Sequence, residues 1–236
     1  MTQHRIHNMR LLTAGALLIA ASASGRLIVP RTHAPAGAYE TIALLDSTGI
    51  PFDSATHSRW AEPSYKPRVY FRMAHTGNSI LLHYIVRETG AAAAVTEDNG
   101  RVFSDACVEF FVSPHSDDTY YNFEVNCIGA LLLQGGRQGT RRALATADVE
   151  QRVKRYASAG TTPFTANGDT IEWQVALVIP KEAFFLDSIS SFEGMTMTAN
   201  FYKCGGAEPN YIMWRPIETD RPQFHRPEYF DTIYFE

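Results

Sequence analysis

Two glutamates raise the first chemical question in this sequence. They lie in the stretches Asp105-Ala106-Cys107-Val108-Glu109-Phe110-Phe111-Val112 and Tyr120-Tyr121-Asn122-Phe123-Glu124-Val125-Asn126, joined by the turn-rich segment Ser113–Thr119. Val108, Phe110 and Val112 alternate along the first stretch, and Tyr121, Phe123 and Val125 along the second. Side chains of a strand change face at every residue, so a one-residue slip would turn an apolar set to water. The register that buries both sets opposes Phe110 to Phe123 and Val108 to Val125. It puts Glu109 opposite Glu124 on the polar face, with Cys107 near Asn126 and Phe111 near Asn122. Facing carboxylates destabilise a strand pair unless something compensates them. A cation could do so, either Arg72 or Arg87 from neighbouring polar faces or a metal ion. A proton shared between the two would raise one pKa. A ligand whose hydroxyls donate to both would also serve. The pair therefore fits a structural Arg–Glu network, a sugar or polyol site, or acid–base catalysis.

The elements that must position this pair read as strands. Candidates are Val69–Ala74, Ile80–Arg87, Ala106–Val112, Tyr120–Ile128, Ala130–Leu133, Val153–Ala157, Thr170–Ile179, Met195–Lys203 and Thr232–Phe235. Alternation predicts that Val69, Phe71 and Met73 face in, with Tyr70 and Arg72 out. Ile80, Leu82, Tyr84 and Val86 face in, with His83 and Arg87 out. Trp173 shares the apolar side of its strand with Val175 and Leu177, and Phe201 shares one with Met197 and Ala199. One apolar and one polar face per strand marks antiparallel sheets packed on one side only. Short strands between Gly, Pro, Asn and Asp clusters predict an all-β antiparallel sandwich with long loops. A short helix within Arg142–Gln151 and a single turn at Lys181–Phe185 are the helical content expected.

Composition agrees with a globular domain. The 236 residues carry 21 Lys+Arg against 25 Asp+Glu, a net charge of −4, with 45% hydrophobic and 19% charged residues. Disorder, collagen and coiled coil are excluded, and the acidic balance argues against nucleic acid as a partner. The three cysteines, Cys107, Cys127 and Cys204, cannot all pair within the chain and form no CxxC motif. Cys107 and Cys127 fall on opposite faces of the hairpin, so free thiols are expected.

The N-terminus has Arg5 and Arg10 with no acid, then the apolar run Leu11–Ala21 and the small residues Ala21-Ser22-Ala23. This is the layout of a secretory signal peptide, and the run is too short to span a bilayer. Residues 1–25 are read as a signal peptide or disordered extension, 26–236 as one domain, and the location as exported, periplasmic or extracellular. Removal of the segment takes away two Arg and no acid, moving the net charge from −4 to −6.

A family resemblance emerges from the order of several segments. Trp60 precedes Tyr65-Lys66-Pro67. Ser79–Glu88, Asp105–Pro114 and Tyr120–Gly129 follow, then Ile171–Pro180, Thr198–Gly205, Ile212–Ile217, Phe224–Phe230 and the closing Thr232–Glu236. This order resembles the carbohydrate-binding module family 9-like domains over residues 40–236. The resemblance implies an antiparallel β-sandwich that binds an oligo- or polysaccharide without catalysis, alone or alongside glycoside hydrolases in polysaccharide degradation. In the xylanase-attached type a sugar chain end is gripped between two aromatics, and the similar positions here are Phe103 and Phe224. A sugar-bonding glutamate corresponds to Glu109, and a sugar-contacting Arg would be replaced by Glu124. The chain departs from that type in having two Phe for two Trp, and one extra residue in Asp105-Ala106-Cys107-Val108-Glu109. The candidate sugar-binding residues are therefore Phe103, Glu109, Asn122, Glu124, Asn126, Phe224, His225 and Arg87. Calcium is a conceivable cofactor, with Ser116-Asp117-Asp118 and Glu97-Asp98-Asn99 as weak candidate loops.

Other residues read structurally. Trp173 is expected in the core, and Trp214 and Trp60 in packing. His225, Arg226 and Glu228 form either a loop brace or the rim of a sugar site. His75 and His83 are single histidines without ligand spacing. Two further functions stay open. A glycosidase would use Glu109 and Glu124, whose Cβ atoms would be about 5 Å apart, against about 5–5.5 Å between the carboxyls of retaining hydrolases. However, both side chains would point the same way from one sheet. A haem-binding sandwich could draw on Met73 and His75.

Overall fold

The structure, a computed structural model, describes residues 26–60, 65–206 and 208–236; the expected signal segment lies outside them. In chain order the strands are β1 (Leu27–Val29), β2 (Asp53–Ala55), β3 (His57–Ser58), β4 (Arg68–His75), β5 (Ser79–Ala93), β6 (Cys107–Ser113), β7 (Thr119–Asn126), β8 (Leu131–Arg137), β9 (Ala143–Leu144), β10 (Lys154–Ala157), β11 (Phe164–Pro180), β12 (Thr196–Cys204), β13 (Tyr211–Met213) and β14 (Asp231–Phe235). Two helices, α1 (Ala38–Ser47) and α2 (Ala147–Arg152), accompany them. One sheet runs β1-β14-β12-β6-β7-β8-β9, with β13 also paired to β12 and β3 paired to β13; the other runs β10-β11-β5-β4-β2. The pairings are antiparallel except β1 with β14.

The inward-facing residues of both sheets form one core, as the alternation predicts. At its centre Phe201 stacks on Phe71 and Phe110 with ring centroids 3.9 and 5.1 Å away, and Trp214 meets it edge-on at 5.4 Å. Aromatic pairs in these geometries add to what their buried area contributes. Trp173 is 1% exposed, as expected, and its indole N–H donates to Glu88 at 2.7 Å.

The polar faces depart from expectation: neither is simply wet. The outer face of the smaller sheet is covered by α1, whose Leu44 and Leu45 pack on Ala74 and Leu81. Arg72 is therefore buried. Its guanidinium donates to Asp46 at 2.7 Å and to the Ile42 carbonyl at 3.3 Å, and lies over the Phe52 ring. A cation near a helix C-terminus is favourably placed against the helix dipole.

His83 lies in the same layer, with Arg72 Nε 3.2 Å from its Nδ1 and Gln174 Oε1 3.1 Å from its Nε2. Arginine only donates, so Nδ1 accepts and the neutral Nε2–H tautomer donates to Gln174. Burial first, then the Arg72 charge, lowers the His83 pKa from 6.5 to about 4. Between those values the unfolded chain binds more protons than the folded one, so stability falls as pH drops through the window and levels off below it. We expect this residue to cost about 2 kcal/mol between about pH 6.5 and pH 5. Thermal unfolding across that range should show a shallower slope for His83→Gln than for the natural chain. Equal slopes would refute this account of His83.

Candidate functional site

The hairpin β6–β7 has the predicted register, with Glu109 opposite Glu124, Phe110 opposite Phe123, Cys107 opposite Asn126 and Phe111 opposite Asn122. On the β12 side, Tyr202 opposes Glu109 and Cys204 opposes Cys107. This outer face of the larger sheet is roofed by loop residues, so a second apolar cluster forms there. It contains Phe111, Tyr120, Tyr202, Met213 and Phe224, with Trp60 and Tyr211 at its margin. The glutamates are embedded in that cluster and are only 3% exposed.

A cleft of about 500 Å³ opens onto them, lined by both glutamates, Phe103, Phe224, His225, Gln134, Cys204, Asn210 and Tyr211, among others. Phe103 is the exposed wall at 39%, with Arg101 over its ring. Phe224 is the packed wall. It stacks on Tyr202 at 4.1 Å and meets Trp60 and Tyr211 at 6.0 and 5.9 Å. Trp60 donates its indole N–H to the Thr219 carbonyl, so its expected packing role holds. The Gly205 loop completes the rim. A Cβ there would stand 1.9 Å from the Asp105 carbonyl oxygen, with φ +65°, a close approach that only glycine allows.

The facing carboxyls are compensated by neither expected arginine. Arg72 lies beneath α1 on the other sheet. Arg87 is also on the outer face of that sheet, in β5, where it pairs with Glu172. Alternation assigns a face but not a sheet, so Arg87 does not belong to this site. Protons and neutral donors do the work instead. Burial first, then Cys204 and Glu124, pushes the Glu109 carboxyl well above its ordinary range. Burial raises Glu124 to about 7, against the opposing pull of Asn122 and Arg142. Cys204 Sγ donates to Glu109 Oε1 at 2.9 Å, and Asn122 Nδ2 donates to Glu124 Oε1 at 2.8 Å. Glu124 Oε2 is buried and has no hydrogen-bond partner among the described residues.

The remaining predicted residues separate by role. Asn122 is one layer back, orienting Glu124 while its own oxygen accepts from Arg142 at 2.7 Å. Arg142 lies over the Tyr120 ring. Asn126 does not line the cleft. Its side chain donates to the Val95 carbonyl and Asp105, and accepts from Ala130 N–H, which pins the neighbouring loop. His225 lines the cleft, with Nδ1 2.9 Å from the Tyr120 hydroxyl. Burial and Arg142 lower its pKa to about 4, so it is neutral at pH 7. Arg226 and Glu228 form the loop-bracing ion pair, at 2.7 Å. Tyr211, Asn210, Gln134, Cys204 and Arg142 were missed from sequence. Cys204 had a usable signal, because it continues the alternation of β12 on the face of Tyr202.

All three cysteines are free and buried. Cys107, Glu109 and Cys204 hold their ligand atoms within 4.8 Å of one another, the group among the described residues that could hold a metal ion. Calcium does not fit the site, because it takes six to eight oxygens. Nor do the acidic turns fit it. Asp98 is engaged by Arg155 and the Leu131 N–H, Asp118 by Arg137, and Asp117 by the Thr119 N–H. Haem does not fit Met73 and His75. Met73 is a core residue, and both His75 ring nitrogens are occupied, by the Glu236 carbonyl and the Gly77 N–H.

The model of carbohydrate-binding family 9 matches residues 40–235. The chain belongs to carbohydrate-binding family 9. Its function is non-catalytic carbohydrate binding, which removes the glycosidase reading of Glu109 and Glu124. A crystal structure of a candidate carbohydrate-binding protein from Bacteroides uniformis is 46% identical, covering 90% of this family 9 chain and 100% of that one, with a TM-score of 0.86. A family 9 module from Caldicellulosiruptor kristjanssonii, solved with glucose, is 12% identical, covering 90% and 96%, with a TM-score of 0.56. The same organism's module with cellotriose gives 12%, 90% and 94%, and a TM-score of 0.55. The likeness to these last two is one of fold. No curated protein matches the chain. No described helix is long and apolar enough to cross a membrane.

Proposed function

We propose that this chain holds a sugar in the Glu109–Glu124 cleft, with Phe103 as the principal platform, Phe224 as the second wall and His225 at the rim. The observation that carries this reading is a cleft lined by Phe103, Phe224 and both glutamates, one of which has a buried carboxyl oxygen, Glu124 Oε2, with no hydrogen-bond partner among the described residues. A buried polar atom left unpaired costs about 1–3 kcal/mol, and a ligand hydroxyl would supply the missing donor. Aromatic faces against sugar C–H patches, with a few convergent polar groups, are the usual composition of such a pocket. Asn122 acts through Glu124, and Asn126 through the loop it pins. We place the working protein outside the cell as a single domain from residue 26, because the N-terminal segment has the layout of an export signal. Cooperation with glycoside hydrolases in polysaccharide degradation belongs to the same reading.

A glycan array probed with the full chain, followed by calorimetry on each hit, tests the proposal. Binding of at least one glycan is expected. Silence across neutral, acidic and amino-substituted glycans would overturn it.

A further inference from the structure

The charge of the cleft is one-sided. Its described lining residues include the two buried carboxyl side chains of Glu109 and Glu124, and no lysine or arginine. His225 adds no positive charge at neutral pH, because burial and Arg142 keep it unprotonated. Two guanidiniums and the Lys203 ammonium approach the lining residues, and all three are engaged elsewhere; Lys203 pairs with Glu88 and holds the Gly205–Asn210 rim. Arg101 covers the ring of Phe103 on the outer wall. Arg142 stands behind Asn122, bonded to its oxygen and to the Gly136 and Tyr120 carbonyls. The floor thus pairs two buried acids with neutral donors only, and Glu124 Oε2 has none among the described residues.

A neutral sugar would meet this floor with hydroxyls, which are weak donors to a carboxylate. An ammonium group brings three donors and the compensating charge, and charge-assisted hydrogen bonds are roughly twice as strong as neutral ones. An aromatic face such as Tyr211 also attracts cations.

We infer that the preferred ligand is an amino sugar, a glucosamine-type residue whose ammonium sits between Glu109 and Glu124. The inference rests on the sugar-binding reading above and names its substrate class. It also accounts for the absence of a lysine or arginine from the floor, since the ligand brings the cation.

Calorimetry with the full chain at about pH 7, where an amine of ordinary pKa is protonated and Glu124, raised to about 7, is partly ionised, compares glucosamine and its β-1,4-linked oligomers with glucose, cello-oligomers and the N-acetylated twins. The amino sugars are expected to bind at least 10-fold tighter than either neutral series, and more weakly as salt is raised. Glu124→Gln keeps the shape of the floor but removes its charge, and should weaken the amino sugars at least 10-fold more than the neutral ones; circular dichroism confirms that the variant folds. Neutral glycans binding as tightly as amino sugars would overturn the inference and leave sugar binding standing. A cleft that binds neither series would overturn the inference, and silence on the full glycan array would overturn the sugar-binding reading with it. A preference that survives in both Glu124→Gln and Glu109→Gln would also overturn the inference, since the ammonium would then sit elsewhere.

Discussion

Lys203→Met is expected to be among the most destabilising single changes in the chain, costing about 3–5 kcal/mol. Lys203 is fully buried between the sheets. Its ammonium pairs with Glu88 and donates to the Gly205 carbonyl at 2.8 Å and to Asn210 at 2.9 Å. Glu88, 2% exposed, also accepts from Trp173. Removing one partner strands the other charge in a low-dielectric interior, and that stranded charge is where the cost comes from. For a domain of this size the melting temperature should fall by roughly 10 °C or more. The double variant Lys203→Met/Glu88→Gln should recover most of the loss, because no bare charge remains. The same ammonium anchors the Gly205–Asn210 rim of the cleft, so sugar affinity should fall with stability in the single variant. A melting temperature within 2 °C of the natural chain would be inconsistent with a buried, compensated pair.

Glu109→Ala should act in the opposite way, weakening sugar binding by about 100-fold or more while leaving the fold at least as stable. Glu109 faces Glu124 across the β6–β7 pair, and burial first pushes its carboxyl well above the ordinary range, so its charged form is disfavoured there. Two acids placed there contribute nothing to folding that an apolar pair would not. Their retention is explained by what they bind, at a cost in stability typical of functional sites. Calorimetry and thermal unfolding on the same preparation check both halves. A destabilised variant with unchanged affinity would show that the acids belong to a structural network instead.

Much of this was legible in the sequence because alternation carries two kinds of information. It assigned the core faces of β4, β5, β11 and β12, and it set the β6–β7 register that opposes the two glutamates. It could not say which sheet a polar face belongs to, and so Arg87 was drawn into a site that lies on the other sheet. The roof over Glu109 and Glu124 was invisible for a related reason. Residues 94–104, 205–206 and 208–230 are mostly loop, and loops have no periodicity to read. α1 escaped notice because its buried stripe is short and includes Thr41 among Ala38, Leu44 and Leu45. Lys203 shares the parity of Phe201, so its burial was readable. Its partner Glu88 was not, being 115 residues away. Strands of two or three residues, such as β2, β3 and β13, are too short to show a pattern at all.

The most direct test of the central claim is a crystal structure of the full chain with the tightest-binding glycan from the array. The account predicts a sugar ring against Phe103, with a ligand donor within hydrogen-bonding distance, about 2.7–3.2 Å, of Glu124 Oε2. A well-ordered sugar on any other surface, with the Glu109–Glu124 cleft holding only water, would contradict it.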